Sequence, residues 1–152
     1  SSDAIVNHIV SSYHEPLRDE MPRLKGMLDK VQKVHGHVDP IRFEKLQNVY
    51  SHLIDEIMEH MGKEEDIVFP FFLQGHDSGA EHTIAELEEE HSRAGDALSD
   101  IRELTDNYTP PDYACNTWRA LWSGFDDLER MMHLHVHLEN NILFPRAVNG
   151  RS

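Results

Sequence analysis

Histidine and glutamate recur four residues apart at two places in the chain, His60 with Glu64 and His135 with Glu139. Four residues advance an α-helix by about 6 Å and nearly one full turn, so both members of a pair leave the same face. An imidazole nitrogen and a carboxylate oxygen aimed at one point are a ligand pair for a transition metal. The mixture suits iron, manganese or zinc, whereas calcium and magnesium prefer all-oxygen shells. Both pairs occupy otherwise apolar seams, where an unsatisfied polar group is costly.

The seams define the elements that must position these pairs. Phe43, Leu46, Tyr50, Leu53, Ile57, His60, Glu64 and Ile67 follow alternating steps of three and four. Trp118, Leu121, Phe125, Leu128, Met132, His135, Glu139 and Ile142 repeat the series 75 residues later, and the match runs on into Phe69-Pro70 and Phe144-Pro145. Val10, His14, Leu17, Met21, Leu24, Leu28 and Val31 make a third seam, and Ala80, Ile84, Leu87, His91, Ala94, Leu98 and Ile101 a fourth. Breaks at Gly36–Pro40, Gly75–Gly79 and Thr109–Asp112 separate four helical segments, with Asp39 and Pro40 written as a cap and first residue. No stretch alternates with period two. The prediction is an all-α, up-down-up-down four-helix bundle built from a duplicated helix pair. Pro16 and Pro22 predict a kink in the first helix near His14.

In antiparallel neighbours, residues at one height are symmetric about the connecting turn. His14 and His60 are centred on position 37, His60 and His91 on 75.5, and His91 and His135 on 113, each in or beside a break. Four seam histidines from four helices therefore share one layer, with Glu64 and Glu139 one turn further on. Four imidazoles and two carboxylates suit a pair of ions about 3.5–4 Å apart, bridged by the carboxylates. A structural zinc site needs only four ligands, and ordinary buried polar residues with local partners are the remaining alternative.

Composition narrows the class. The 152 residues hold 28 acids against 14 bases, a formal net charge of −14, with twelve histidines and one cysteine. Such acidity excludes a nucleic-acid surface, which needs a basic stripe, and argues against anionic lipid. Cys115 alone excludes a disulfide framework and points to a reducing compartment. No eighteen-residue apolar run and no leader is present, so the expectation is a cytoplasmic protein with no membrane partner.

The runs Tyr13-His14, His60-Met61-Gly62-Lys63-Glu64-Glu65, Glu90-His91 and His135-Val136-His137-Leu138-Glu139-Asn140-Asn141, with both Phe-Pro pairs, resemble the hemerythrin-like superfamily, and within it the di-iron proteins called repair of iron centres. The resemblance implies one hemerythrin-like domain over residues 1–152 and two non-haem iron ions. It implies His14, His60, Glu64, His91, His135 and Glu139 as ligands, Glu64 and Glu139 bridging. It further implies restoration of iron–sulfur clusters damaged by nitric oxide or peroxide, by iron donation, by nitric oxide reduction, or both. Partners would be nitric oxide, oxygen or peroxide, and damaged iron–sulfur proteins. Members of that family usually carry a short cysteine-containing domain ahead of the bundle, and this chain has no match to it. Glu56 and Glu90 match residues thought to line a hydrophilic route to the metals; the plain alternative is a solvated helix face.

Oxygen-carrying hemerythrins have a fifth histidine, four residues from another on the third helix; here Leu87 and Gly95 flank His91 at that spacing. A missing ligand favours reactivity and iron lability, with oxygen binding or sensing as the alternative function. Ferritin-like oxidases need two Glu-x-x-His motifs, and only Glu88 and His91 have that spacing. His35 lies about 32 Å from His14 along a straight helix and reads as a helix-end residue. His8, His37, His52, His76, His82, His133 and His137 read as surface residues, Tyr13, Trp118 and Trp122 as core aromatics, and Cys115 as a passive thiol.

Overall fold

The computed structural model describes residues 2–74 and 80–148. They form α1 (Ser2–Ile9), α2 (Glu15–His35), α3 (Pro40–Lys63), α4 (Phe69–Leu73), α5 (Ala80–Leu104), α6 (Asn116–Leu138) and α7 (Phe144–Val148). Single π-helical turns at Val10–His14, Glu64–Val68 and Glu139–Leu143 join α1 to α2, α3 to α4 and α6 to α7. The result is four rods in up-down-up-down order, with α2 against α3 and α6, and α5 against α3 and α6. The expected all-α bundle is the observed architecture. The break at Gly75–Gly79, with His76, lies outside the described residues.

Local chemistry sets the ends. The Asp39 carboxylate accepts the Arg42 backbone N–H, and Pro40 opens α3, where its missing donor costs nothing. After α5, Asp106, Asn107 and Tyr108 have φ of 52°, 57° and 61°, and the Thr105 hydroxyl accepts the Tyr108 N–H to hold this left-handed turn. Pro22 lies inside α2, which continues without a change of helix type.

The three π-turns share one cause. In each, the N–H after the turn bonds the carbonyl five residues back, and a proline follows two residues beyond the turn: Pro16, Pro70 and Pro145. A proline ring pushes against the carbonyl four residues earlier, so the turn ahead of it widens. Each widening shifts the buried face by one residue. Val68 is buried where the seam predicted Ile67, which is 65% exposed; Leu143 is buried in place of the half-buried Ile142, and Ile9 in place of Val10.

Two apolar clusters result. The larger spans α2, α3, α5 and α6 and includes Trp118 and Trp122; a Cβ on Gly124 would collide with Leu24, so this glycine sets the α2–α6 approach. The smaller gathers Val6, Ile9, Val68, Phe69, Phe72, Ile84, Leu87, Leu143 and Phe144. His14, His60, Glu64, His91, His135 and Glu139 fall between them on every rod and are all buried.

Candidate metal centre

The six residues converge as the register arithmetic predicts. His14, Glu64, His135 and Glu139 each offer a ligand atom within 4.8 Å of the others, and so do His60, Glu64, His91 and Glu139. Each set takes two imidazoles and both carboxylates, so Glu64 and Glu139 are common to the two. Glu64 Oε1 lies 3.3 Å from His14 Nε2 and 3.2 Å from His60 Nε2. Glu139 Oε1 lies 2.8 Å from His91 Nε2, and its Oε2 lies 3.2 Å from His135 Nε2.

Outer partners orient the rings. His14 Nδ1–H donates to Glu65 Oε2 at 2.7 Å, a carboxylate that also pairs with Arg18. His60 Nδ1–H donates to Glu90 Oε1 at 2.7 Å, and Lys63 Nζ donates to the other oxygen of Glu90 at 2.6 Å. His91 Nδ1–H donates to Asn140 Oδ1 at 3.0 Å. Each bond fixes a tautomer whose Nε2 lone pair points inward, the usual role of the outer partner of a metal-binding histidine. Phe69 stacks on His14, Phe144 on His91 and Tyr13 on His135, with centroids 5.9, 6.0 and 5.8 Å apart.

The interior therefore collects acceptors. Both oxygens of Glu64 and of Glu139, with Nε2 of His14 and His135, are buried without a hydrogen-bond partner. Among protein groups alone, burial pulls His14 and His60 toward neutrality, but the Glu139 and Glu64 carboxylates outweigh it and hold them up at about 9 and about 11. Burial pushes Glu139 up, and the His135 imidazole and its neighbours override this to hold the carboxyl well below the usual range. The pocket demands positive charge, and these buried histidine and glutamate groups are able to bind a metal.

Glu56 and Glu90 are alike in sequence, and the structure separates them. Glu90 touches His60, whereas Glu56 pairs with His52 at 3.1 Å and Arg93 at 3.8 Å on the α3–α5 surface. Glu65 and Asn140 orient His14 and His91, a role that residue type alone does not announce. Their signal is positional, since each follows a seam glutamate at the same place in the 75-residue repeat. Tyr13 is a half-buried lid on His135 rather than a core aromatic, while Trp118 and Trp122 are core. His35 ends α2 and packs on Trp118 at 5.3 Å. His8, His37, His52, His82, His133 and His137 are exposed, as is Cys115. Among the described residues no helix is long and apolar enough to cross a membrane.

The hemerythrin HHE cation binding domain matches residues 6–147. The iron-sulfur cluster repair proteins YtfE of Yersinia pestis (strain Pestoides F) and of Yersinia pseudotuberculosis serotype IB (strain PB1/+) are each 42% identical to the chain over 146 residues. That alignment takes in 96% of this chain, which spans 66% of the length of either relative. With a family match over nearly its whole length and a cation-demanding pocket where the histidines and glutamates meet, the chain belongs to the hemerythrin HHE cation-binding family.

Proposed function

We propose that His14, His60, Glu64, His91, His135 and Glu139 hold two iron ions, with Glu64 and Glu139 shared between them. The observation that carries this is the common pair of carboxylates: two sets of four donors overlap only at Glu64 and Glu139, all of them buried. One ion would leave two imidazoles without a cation.

The similarity to iron-sulfur cluster repair proteins supports a role in repairing iron–sulfur clusters after nitrosative or oxidative stress, in the cytoplasm, with damaged iron–sulfur proteins as partners. Iron held at this centre would supply electrons for a small molecule such as nitric oxide, and it could itself be donated. Glu65, Glu90 and Asn140 hold His14, His60 and His91 in the ligating tautomer, and Phe69 and Phe144 cover the rings of His14 and His91. Glu90, half-buried between Lys63 and His60, joins the ligand layer to the surface and is the better candidate for an access route. Glu56 stands outside the layer. Neither Leu87, buried in the smaller apolar cluster, nor Gly95, the two positions four residues from His91, offers a further imidazole, which favours reactivity over oxygen storage.

Loading with ferrous iron under anaerobic conditions tests the reading. Two ions per chain are expected, falling to one or none in Glu64→Leu and in Glu139→Leu. Two tightly held ions in both variants would overturn the assignment.

A further inference from the structure

The duplication carries an approximate two-fold symmetry through the site, and at the Nδ1 atoms of the four imidazoles the symmetry fails at one place. His60 corresponds to His135, Glu64 to Glu139, Glu65 to Asn140 and Phe69 to Phe144, each 75 residues apart. The other two rods match at an offset of 77, which pairs His14 with His91 and Tyr13 with Glu90. The contacts obey the same rule. Glu65 accepts from His14 as Asn140 accepts from His91, and Phe69 stacks on His14 as Phe144 stacks on His91. His60 donates Nδ1–H to Glu90; by symmetry His135 should donate to the residue at position 13. That residue is Tyr13, whose ring lies over His135 with an interplanar angle of 24°, and His135 Nδ1 is buried with no hydrogen-bond partner.

Resting on the two-ion reading above, we infer that Tyr13 makes the halves unequal: the ion held by His14 and His135 exchanges first, and the ion held by His60 and His91 stays. Three of the four imidazoles are pinned at Nδ1. In the His60–His91 half both are pinned, and Lys63 buttresses Glu90. In the His14–His135 half only His14 is, through Glu65, which Arg18 supports in turn. An outer acceptor raises the basicity of the ligating nitrogen and fixes the ring's rotation, and its loss weakens metal binding by about 10–100-fold. His135 lacks both effects, so its bond is the one that opens first. Tyr13 acts through His135 and is a positioning residue. Release in two steps suits a protein that gives up one ion while a filled half keeps the bundle folded.

The experiment uses the chain loaded with ferrous iron without oxygen, mixed with excess of a coloured ferrous chelator and followed with time. Wild type should release its iron in two phases of one ion each. Tyr13→Glu restores the carboxylate that symmetry expects and should slow the fast phase about 10–100-fold while leaving the slow phase in place. Tyr13→Gln supplies a neutral acceptor, as Asn140 does, and should act in the same direction more weakly; it keeps the test alive should Tyr13→Glu fail to fold by circular dichroism. Glu90→Leu should instead accelerate the slow phase. Two ions leaving in a single phase, or a Tyr13→Gln or Tyr13→Glu chain whose fast phase is unchanged, overturns this inference alone. A chain that loads only one ion overturns the two-ion reading and this inference with it.

Discussion

His60 and His91 face each other through their Nε2 atoms at 3.0 Å, while each ring's Nδ1–H is donated outward, to Glu90 and to Asn140. Two inward lone pairs at that distance repel unless positive charge sits beside them. Protons and metal ions therefore compete for the same interior, and metal binding must displace protons.

Proton competition predicts a pH dependence with a definite sign. His14 and His60 are held up at about 9 and about 11, above the ordinary value of 6.5. The stability they lend the chelator-treated chain is full below 6.5 and is lost as pH rises through those folded values. Its thermal midpoint should therefore fall from pH 6.5 to pH 9 while ferrous affinity rises over the same window. A midpoint that climbs through that range in the chelated chain would contradict the account.

Glu65 orients His14 without belonging to the ligand set. Glu65→Leu removes the acceptor for Nδ1–H and should weaken metal binding by about 10–100-fold in chelator competition. The helix content should be unaltered, since the carboxylate is partly exposed and its other partner, Arg18, reaches water.

The π-turns predict which apolar residues matter beyond the site. Leu143→Ala, at a 1% exposed position, should cost about 2–5 kcal/mol in denaturant unfolding. Ile67→Ala, at a 65% exposed position, should change stability by no more than about 0.5 kcal/mol. Comparable losses from both would mean that helix register is not displaced after Glu64.

Six residues before His135 in α6, Glu129 is buried against Arg102 and accepts from the Tyr108 hydroxyl at 2.5 Å. Burial pushes its carboxyl up, but Tyr108 and Arg102 outweigh this and hold it below the usual value of 4.5. Its contribution is present above 4.5 and is lost as pH falls through the lower folded value. Glu129→Gln should lower the thermal midpoint at neutral pH, with the gap to wild type closing under acid; a gap constant with pH would remove the carboxylate from the explanation.

The chain alone determined the rods and the height of the site, because helical periodicity fixes the face of each residue and antiparallel turns fix its level. His14, His60, His91 and His135 could thus be put in one layer, with Glu64 and Glu139 beside it, by counting. Which histidine shares a half with which was decided by packing: α2 lies against α6 and α3 against α5, so His14 joins His135 and His60 joins His91. Counting says nothing about the order of rods around a bundle. The slip from Ile67 to Val68 also escaped the periodicity, since one wide turn ahead of a proline breaks the 3.6-residue spacing on which it rests. Glu90 and Glu56, alike as acids on a helix, were told apart only by their distance to His60, because partners from another rod are set by tertiary contact and not by spacing along one helix.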